Sequence, residues 1–465
     1  MGGAAFAGTP PSPDSSRAPS TAVQMTVIRR AAMSMNLMTA VNRTTDAYRI
    51  EPSELLPFTA GGPRASLWRV GKMKKRLVVC CDGTWKSSKD PRISNVEKIA
   101  RAVTTDADDG AVQLVHYVNG VGTGSGWSDR VIGGAFGRGL DANLIDAYRF
   151  LALNYEPGDE IFVFGFSRGA YTARSLGGMI WHIGLVTPLE LAQHPTENLF
   201  ETVLRYYRMK RKDRPAKTPG APVPVKFIGV FDTVGALGVP GITRVKHKFH
   251  DVKLGKNVAV ARQALAIDER RLTFDPCVWE VDEADEGEID VKQVWFEGVH
   301  SDIGGGLAVT EPSELSLSWM VREAELAGLQ FCYKRFTPIS FPIDPSNEKY
   351  ATNKSMNAAY RIVNIFKLAF GPLRMRGETV RHKGQSRLLE ANKNDPARPL
   401  YIAAPALTRW TDDIGSRKKR ATNIGAWEEL IKDLSVRAVE IPPLEAPVTT
   451  RQPASPASES LLPQQ

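Results

Sequence analysis

The sequence predicts an α/β fold, a mostly parallel sheet with helices on both faces. Three observations carry that expectation. Apolar runs of strand length recur at residues 77–81, 112–118, 160–165, 225–231 and 291–296. Segments with helical spacing of apolar residues lie between most of them. Residues able to do chemistry follow directly behind several runs, at strand carboxyl ends, where open parallel sheets place their sites.

Taking the elements in order, residues 1–72 are rich in small residues, Pro, Ser and Thr without sustained periodicity, so a mostly disordered extension is expected. Within it, residues 26–43 carry Arg29, Arg30 and Arg43 and no acid, a weak transit-peptide pattern. Met73-Lys74-Lys75-Arg76 opens the first run, and Met73 is a candidate internal start. Cys80 and Cys81 sit inside that run, where cysteine packs as a small hydrophobe. Ser94 and Glu97 have capping-box spacing, and Val96, Ile99, Ala100 and Val103 line one face of the helix they open. The run 112–118 leads into a glycine-rich loop at 120–126. That loop fits neither Gly-x-Gly-x-x-Gly nor Walker A, so it reads as a flexible loop and not a phosphate cradle. Leu140, Leu144, Ile145, Tyr148, Leu151 and Tyr155 mark a helix over 140–155, and a second helix follows Ser167.

Residues 185–222 interrupt the rhythm. Between Arg205 and Lys217 lie seven Lys and Arg residues, interleaved with Tyr206 and Tyr207. The plain reading is a solvated face; the sharper one is contact with anionic lipid head groups or an acidic partner. After the run 225–231, residues 258–267 are expected as a helix and 313–327 as another, ending at Gly328. The organisation expected is an extension at 1–72, a catalytic domain at 73–330, an accessory or cap region at 331–440 that continues the domain, and a disordered Pro/Ser/Ala/Gln tail at 441–465.

Composition narrows the function classes. The 465 residues are 42% hydrophobic and 24% charged, which suits a globular chain with a large core. The formal charge of +9 favours anionic surfaces, but no nucleic-acid-binding module accompanies it, so no nucleic-acid partner is expected. Cys80, Cys81, Cys277 and Cys332 form no CxxC pair and no zinc spacing. A reduced compartment follows. No signal-peptide core and no apolar stretch of about 18 residues is present, so a cytoplasmic location is expected.

Gly165-Phe166-Ser167-Arg168-Gly169-Ala170, directly behind an apolar run and ahead of a helix, has the form of a nucleophile elbow in an α/β-hydrolase-like sheet. In a chain with 39 glycines the pentapeptide alone is weak evidence, and Ser167 also suits a plain helix cap. Its neighbours strengthen it. Serine becomes a nucleophile when an imidazole accepts its proton and a carboxylate orients that imidazole. Asp232 follows the run 225–231 and His300 follows 291–296, in the order Ser, Asp, His that this architecture uses. Asp232 also suits the plain role of a turn brace, and Asp302 is the alternative acid. Of seven histidines, His247, His250 and His382 also follow Ser167, but none stands behind a clean strand. The oxyanion hole is expected from the amide of Arg168 with one from Asp82-Gly83-Thr84-Trp85, Gly83 or Thr84 being the candidates. Asp82, His300 and Asp302 form an alternative metal set, which no local ligand motif supports; no metal and no cofactor are expected.

The segments VVCCDGTW, NVEKIARAV, YVNGVGTG, FVFGFSRGAYTARSLGGMI, VFDTVGALG, ALAIDERR and VWFEGVHSDIGGGL, spread in order over residues 73–330, resemble an uncharacterised α/β-hydrolase family. That family includes the catalytic domain of type VI secretion phospholipase effectors. The resemblance implies Ser167 as nucleophile, Asp232 as acid and His300 as base, acting on phospholipid acyl esters. The expected function is therefore a serine hydrolase of carboxylic esters, with a lipid or small ester as substrate. The rivals are a thioesterase or amidase of the same fold, or a non-catalytic interaction protein.

Overall fold

A computed structural model describes residues 73–83, 93–120, 133–194, 198–234, 254–271, 274, 276–279, 289–336, 352–353, 400–412 and 436–444. Eight strands form one sheet: β1 Lys75–Cys81, β2 Val112–Val118, β3 Glu160–Phe166, β4 Val225–Phe231, β5 Val258–Ala266, β6 Asp290–Phe296, β7 Leu400–Ala403 and β8 Val436–Val439. Their order is β2-β1-β3-β4-β5-β6-β7-β8, and each neighbouring pair is parallel. The chain steps from β1 outward to β2, then returns past β1 to β3. The carboxyl ends of β1 and β3 therefore flank the switch point where doubly wound sheets bind ligands.

A parallel sheet needs crossovers, and these supply helices to both faces. Side chains of β1 and β3 alternate between two cores. Val78, Cys80, Phe162 and Phe164 pack on one face with α1 (Asn95–Ala102) and, beyond the sheet centre, with Leu317 and Met320 of α7 (Glu311–Leu326). Leu77, Val79, Cys81, Ile161 and Val163 pack on the other with α2 (Gly133–Asn154), α3 (Arg168–Ile183) and α5 (Leu199–Arg208). Short α4 (Pro188–Gln193) joins α3 to α5, α6 (His300–Gly304) follows β6, and α8 (Ala404–Asp412) follows β7. Ser94 caps α1 as its spacing predicts, accepting the Glu97 N–H at 3.1 Å. Both Cys80 and Cys81 are buried free thiols, and burial pushes their pKa values up, which keeps them protonated.

Two sequence expectations need correction. Of the helix expected over 258–267, residues Val258–Ala266 form the strand β5. Helical spacing there came from polar residues interrupting an apolar run, yet both interruptions are buried. Arg262 donates to Glu323 at 2.6 Å and to Asp290 at 2.5 Å. Gln263 accepts from Thr233 at 2.6 Å and donates to Gln293 at 3.0 Å. Satisfied polar side chains inside a two-faced strand imitate the polar stripe of an amphipathic helix. Residues 441–444, expected as part of the disordered tail, are instead held in place. Ile441 is buried, and the Pro442 carbonyl accepts a hydrogen bond from Ser318.

The region after 330 supplies β7, α8 and β8, which extend the sheet beyond β6. Residues 1–72, the loop from 121, Thr84 and Trp85, and His247, His250 and His382 lie outside the described residues. Among the described residues no helix is long and apolar enough to cross a membrane.

Candidate active site

β3 ends at Phe166 and α3 begins at Arg168, so Ser167 alone turns the chain from strand into helix. Its backbone sits at φ 58°, ψ −117°, in the left-handed half of the map that non-glycine residues avoid. The flanking glycines are steric requirements of that turn. A Cβ on Gly165 would fall 2.6 Å from the Ala170 Cα, and one on Gly169 would fall 2.1 Å from the Cys81 carbonyl oxygen. The tight approach of α3 to β1 and β3 thus admits glycine alone at both positions. Ser167 donates its N–H to the Phe231 carbonyl at 3.0 Å, which anchors the turn on β4. Its hydroxyl makes no capping bond to α3. Instead, Ser167 Oγ lies 2.8 Å from His300 Nε2.

Asp232 follows β4 one residue beyond the register partner of Phe166. It too has positive φ, 42°, and its N–H donates to the Ala264 carbonyl at 2.7 Å. Its carboxylate is fully buried, with Oδ1 accepting the Ala266 N–H at 3.0 Å and Oδ2 lying 2.5 Å from His300 Nδ1. Among the described residues, Ser167 and Asp232 are the non-glycine residues with positive φ. Backbone strain of this kind collects at functional sites, where the surrounding structure holds it in place.

His300 opens α6 behind β6, two strands away from Asp232, and its imidazole reaches back across the end of β5. The ring is held between Phe166, at 4.8 Å between centroids, and the edge of Phe274, at 4.9 Å. Burial lowers the imidazole pKa below its usual range, and the Asp232 hydrogen bond opposes that shift. Serine, imidazole and carboxylate therefore form a continuous buried chain of hydrogen bonds.

The competing assignments are separated by where each donor atom points. Asp302, the alternative acid, turns away from the imidazole. Its Oδ2 accepts N–H groups of Val299 and Asn353, each at 3.0 Å, and its Oδ1 accepts the Asn353 side-chain amide at 2.5 Å. Asp82 at the end of β1 accepts the hydroxyls of Ser94 at 2.6 Å and Tyr117 at 2.5 Å. It ties the ends of β1 and β2 to the start of α1. Asp82, His300 and Asp302 thus engage separate protein partners, and among the described residues no cluster of His, Cys, Asp and Glu has the makings of a metal site.

Residues 75–323 match the family described as T6SS, phospholipase effector Tle1-like, catalytic domain. The chain belongs to this family. An uncharacterized protein of Saccharomyces cerevisiae is 26% identical over 230 residues, which are 43% of this chain and 32% of the yeast protein. The chain thus spans about a third of the length of that curated relative. Among solved structures, an uncharacterized protein from Pseudomonas aeruginosa aligns with a TM-score of 0.35 and 17% identity, covering 56% of this chain and 47% of that one. The Tle1 effector bound to the VgrG spike of the type 6 secretion system aligns with a TM-score of 0.31 and 18% identity, covering 52% and 53%.

Within this Tle1-like segment, one group of site residues escaped the sequence reading. The motif Ala264-Leu265-Ala266-Ile267-Asp268-Glu269-Arg270-Arg271 supplies the frame that carries His300. Beyond the strands, Ile267 and Asp268 donate their N–H groups to the carbonyls of Phe296 and Gly298, at 3.0 and 2.9 Å. Asp268 in turn accepts the Gly298 N–H at 2.8 Å, and Glu269 accepts the His300 N–H at 3.2 Å. Glu269 is fully buried and clamped by Arg271, whose guanidinium donates to both carboxylate oxygens, at 2.9 and 2.8 Å. That guanidinium also lies 3.6 Å from the centroid of Phe274, the ring packed on His300. Burial pushes the Asp268 carboxyl up to about 7, against the pull of the Gly298 amide. The available signal was acidic residues directly behind an apolar run, masked here because the run was read as a helix.

The oxyanion candidates fare differently. Arg168 is the first residue of α3, so its amide belongs to the helix N-terminal turn beside Ser167. The Gly83 N–H donates to Asp82 Oδ1 at 2.6 Å, which gives that amide a partner the sequence reading did not foresee. Gly83 also packs on the active-site ring Phe166, with a Cβ there falling 3.0 Å from Phe166 Cδ1.

Proposed function

We propose that this chain is a serine hydrolase that cleaves lipid acyl esters, with Ser167 as nucleophile, His300 as general base and Asp232 as the orienting acid. The observation that carries the reading is the hydrogen-bonded chain, 2.8 Å from Ser167 Oγ to His300 Nε2 and 2.5 Å from His300 Nδ1 to Asp232 Oδ2. The lipid class rests on membership in a family described by its phospholipase effectors.

Asp232 accepts a hydrogen bond from Nδ1–H, which fixes the tautomer with Nε2 unprotonated and facing the hydroxyl. Ser167 Oγ attacks the acyl carbonyl carbon while its proton passes to Nε2. The tetrahedral oxyanion is met by the Arg168 amide at the positive end of α3. Collapse expels the alcohol, which takes the proton from Nε2 and leaves an acyl-serine. Water then attacks the acyl-serine with Nε2 again as base, releasing a carboxylic acid and restoring the serine. Each step is nucleophilic and acid–base chemistry by these side chains. A second amide donor is assigned to the loop after β1, through Thr84 or through Gly83 once its bond to Asp82 is exchanged.

The pH dependence has a definite sign. The base works only when Nε2 is unprotonated, and burial depresses the His300 pKa. The acid limb of kcat/KM is therefore expected below pH 6.5, with full activity through neutrality and a tenfold loss per pH unit beneath the depressed pKa. A limb centred above 6.5 contradicts His300 as the buried base.

The assignment is tested by labelling the intact chain with a fluorophosphonate and mapping the adduct by mass spectrometry. A panel of phospholipids, nitrophenyl esters and thioesters, with products identified, is run in parallel. An adduct on the peptide holding Ser167, with fatty acid released from phospholipid, is the expected result. Labelling elsewhere, or turnover of thioesters alone, overturns the nucleophile or the substrate class respectively.

A further inference from the structure

We propose that the basic segment at the end of α5 and the turn after it, from Arg205 to Lys217, docks the chain on an anionic lipid surface at the same end of the sheet as Ser167. The inference rests on the lipid-ester reading above and assigns its partner. Arg205, Lys210, Arg211, Lys212 and Lys217 are exposed. Among the described residues none of these five takes part in an ion pair, and Asp213 is the single acid in the segment. Cations concentrated this way on one surface attract an anionic bilayer additively.

The segment is braced. Arg208 pairs with Asp141 of α2. Arg214 donates to the carbonyls of Met209 at 3.2 Å and Tyr207 at 3.0 Å, and its guanidinium stands 5.9 Å from the Tyr207 ring centroid. Those two arginines fix the backbone, so the other five cations are presented without first ordering a loop.

Placement relative to the nucleophile follows from the helix contacts. α2 runs back from the carboxyl edge of the sheet. Phe200, near the start of α5, lies edge-on to Tyr148 at 6.4 Å and beneath Arg149 at 4.9 Å. Arg208, at the end of α5, reaches Asp141, about two helical turns closer to that edge. Asp141 in turn lies near enough to Tyr171 to weigh on its phenol, and Tyr171 is one turn into α3 from Ser167. The basic end of α5 and the nucleophile therefore share one end of the molecule. Tyr206 sits half-buried with the Arg205 guanidinium 5.6 Å from its ring centroid, an amphipathic pair suited to a head-group interface. Tyr207 is buried in the core beneath α5, so the segment offers no open aromatic platform for stacked bases.

The experiment uses the full chain. Binding is measured with Ser167→Ala by sedimentation with phosphatidylcholine vesicles, with and without phosphatidylglycerol. A variant carrying Lys210→Glu, Arg211→Glu and Lys212→Glu is compared with one carrying Lys210→Arg, Arg211→Lys and Lys212→Arg. Binding is expected to need phosphatidylglycerol, to fall at least about tenfold on charge reversal, and to survive the charge-preserving exchange. With Ser167 intact, the reversed variant keeps its turnover of a soluble nitrophenyl ester and its Tm, and loses turnover on anionic vesicles. Equal vesicle binding by the reversed variant, or binding indifferent to phosphatidylglycerol, overturns the proposal. Displacement from vesicles by DNA at equal phosphate concentration overturns the lipid assignment in favour of a general polyanion site. Absence of ester turnover in every form sinks the hydrolase reading alone, because binding is read without it.

Discussion

Ser167→Ala is expected to lower ester turnover by about 10⁶-fold while leaving Tm essentially unchanged. The change removes one oxygen from a side chain whose hydroxyl makes no capping bond and meets His300 Nε2 at 2.8 Å. Alanine keeps the Cβ, so the strained turn at φ 58° is neither relieved nor worsened. The N–H bond to the Phe231 carbonyl is a backbone contact and survives. What disappears is the proposed nucleophile, and with it the proposed covalent route. Any residual rate belongs to the oxyanion amides and to positioning of the bound ester. Turnover and thermal unfolding measured on the same preparation check both halves. A variant that retains substantial activity, with the phospholipid products unchanged, removes Ser167 from the mechanism.

Asp232→Asn is expected to lower kcat about 10⁴-fold with the site geometry preserved. Asp232 Oδ1 accepts the Ala266 N–H at 3.0 Å, so the asparagine carbonyl oxygen is held in that position. The side-chain NH₂ then faces His300 Nδ1, where Oδ2 stood at 2.5 Å. Nδ1 must become an acceptor, which moves the ring proton to Nε2. An imidazole in that tautomer donates toward Ser167 and is unable to take its proton. A pH–rate profile with the kcat loss distinguishes this from misfolding, since a folded wrong-tautomer enzyme recovers activity as hydroxide rises. A loss of less than about tenfold contradicts the tautomer-fixing role, because among the described residues Asp232 is the carboxylate on Nδ1.

Much of the sheet was legible because strands buried on both faces leave uninterrupted apolar runs. β1, β3 and β4 read that way over most of their length; β2 and β6 are interrupted by Gln113, His116, Lys292 and Gln293 but stay rich in Val and aromatic residues. β5 failed on Arg262 and Gln263. Their polarity is local information, whereas their partners come from three separate places in the chain: Thr233 behind β4, Asp290 and Gln293 in β6, and Glu323 in α7. β7 and β8, four residues each, are too short to stand out from their surroundings. The site was legible to the same degree. Ser167 and Asp232 stand directly behind a strand and His300 a short turn past one, and parallel strands bring their carboxyl ends together. Glu269 was not legible as a site residue, since it acts through the His300 backbone N–H, and its clamp by Arg271 exists only where those chains meet.

By itself, the sequence determined the α/β class, the elbow and the three residue types in their chain order. All of these depend on neighbours within a few positions, where apolar periodicity and glycine sterics act. Only the tertiary structure decided that His300 pairs with Asp232 and not with Asp302, and that Asp302 holds Asn353. It also decided that residues 258–266 are a central strand and that Arg208 of α5 pairs with Asp141 of α2. Those outcomes depend on hydrogen-bond and charge partners supplied by distant parts of the chain, and local pattern carries no record of which distant group will arrive.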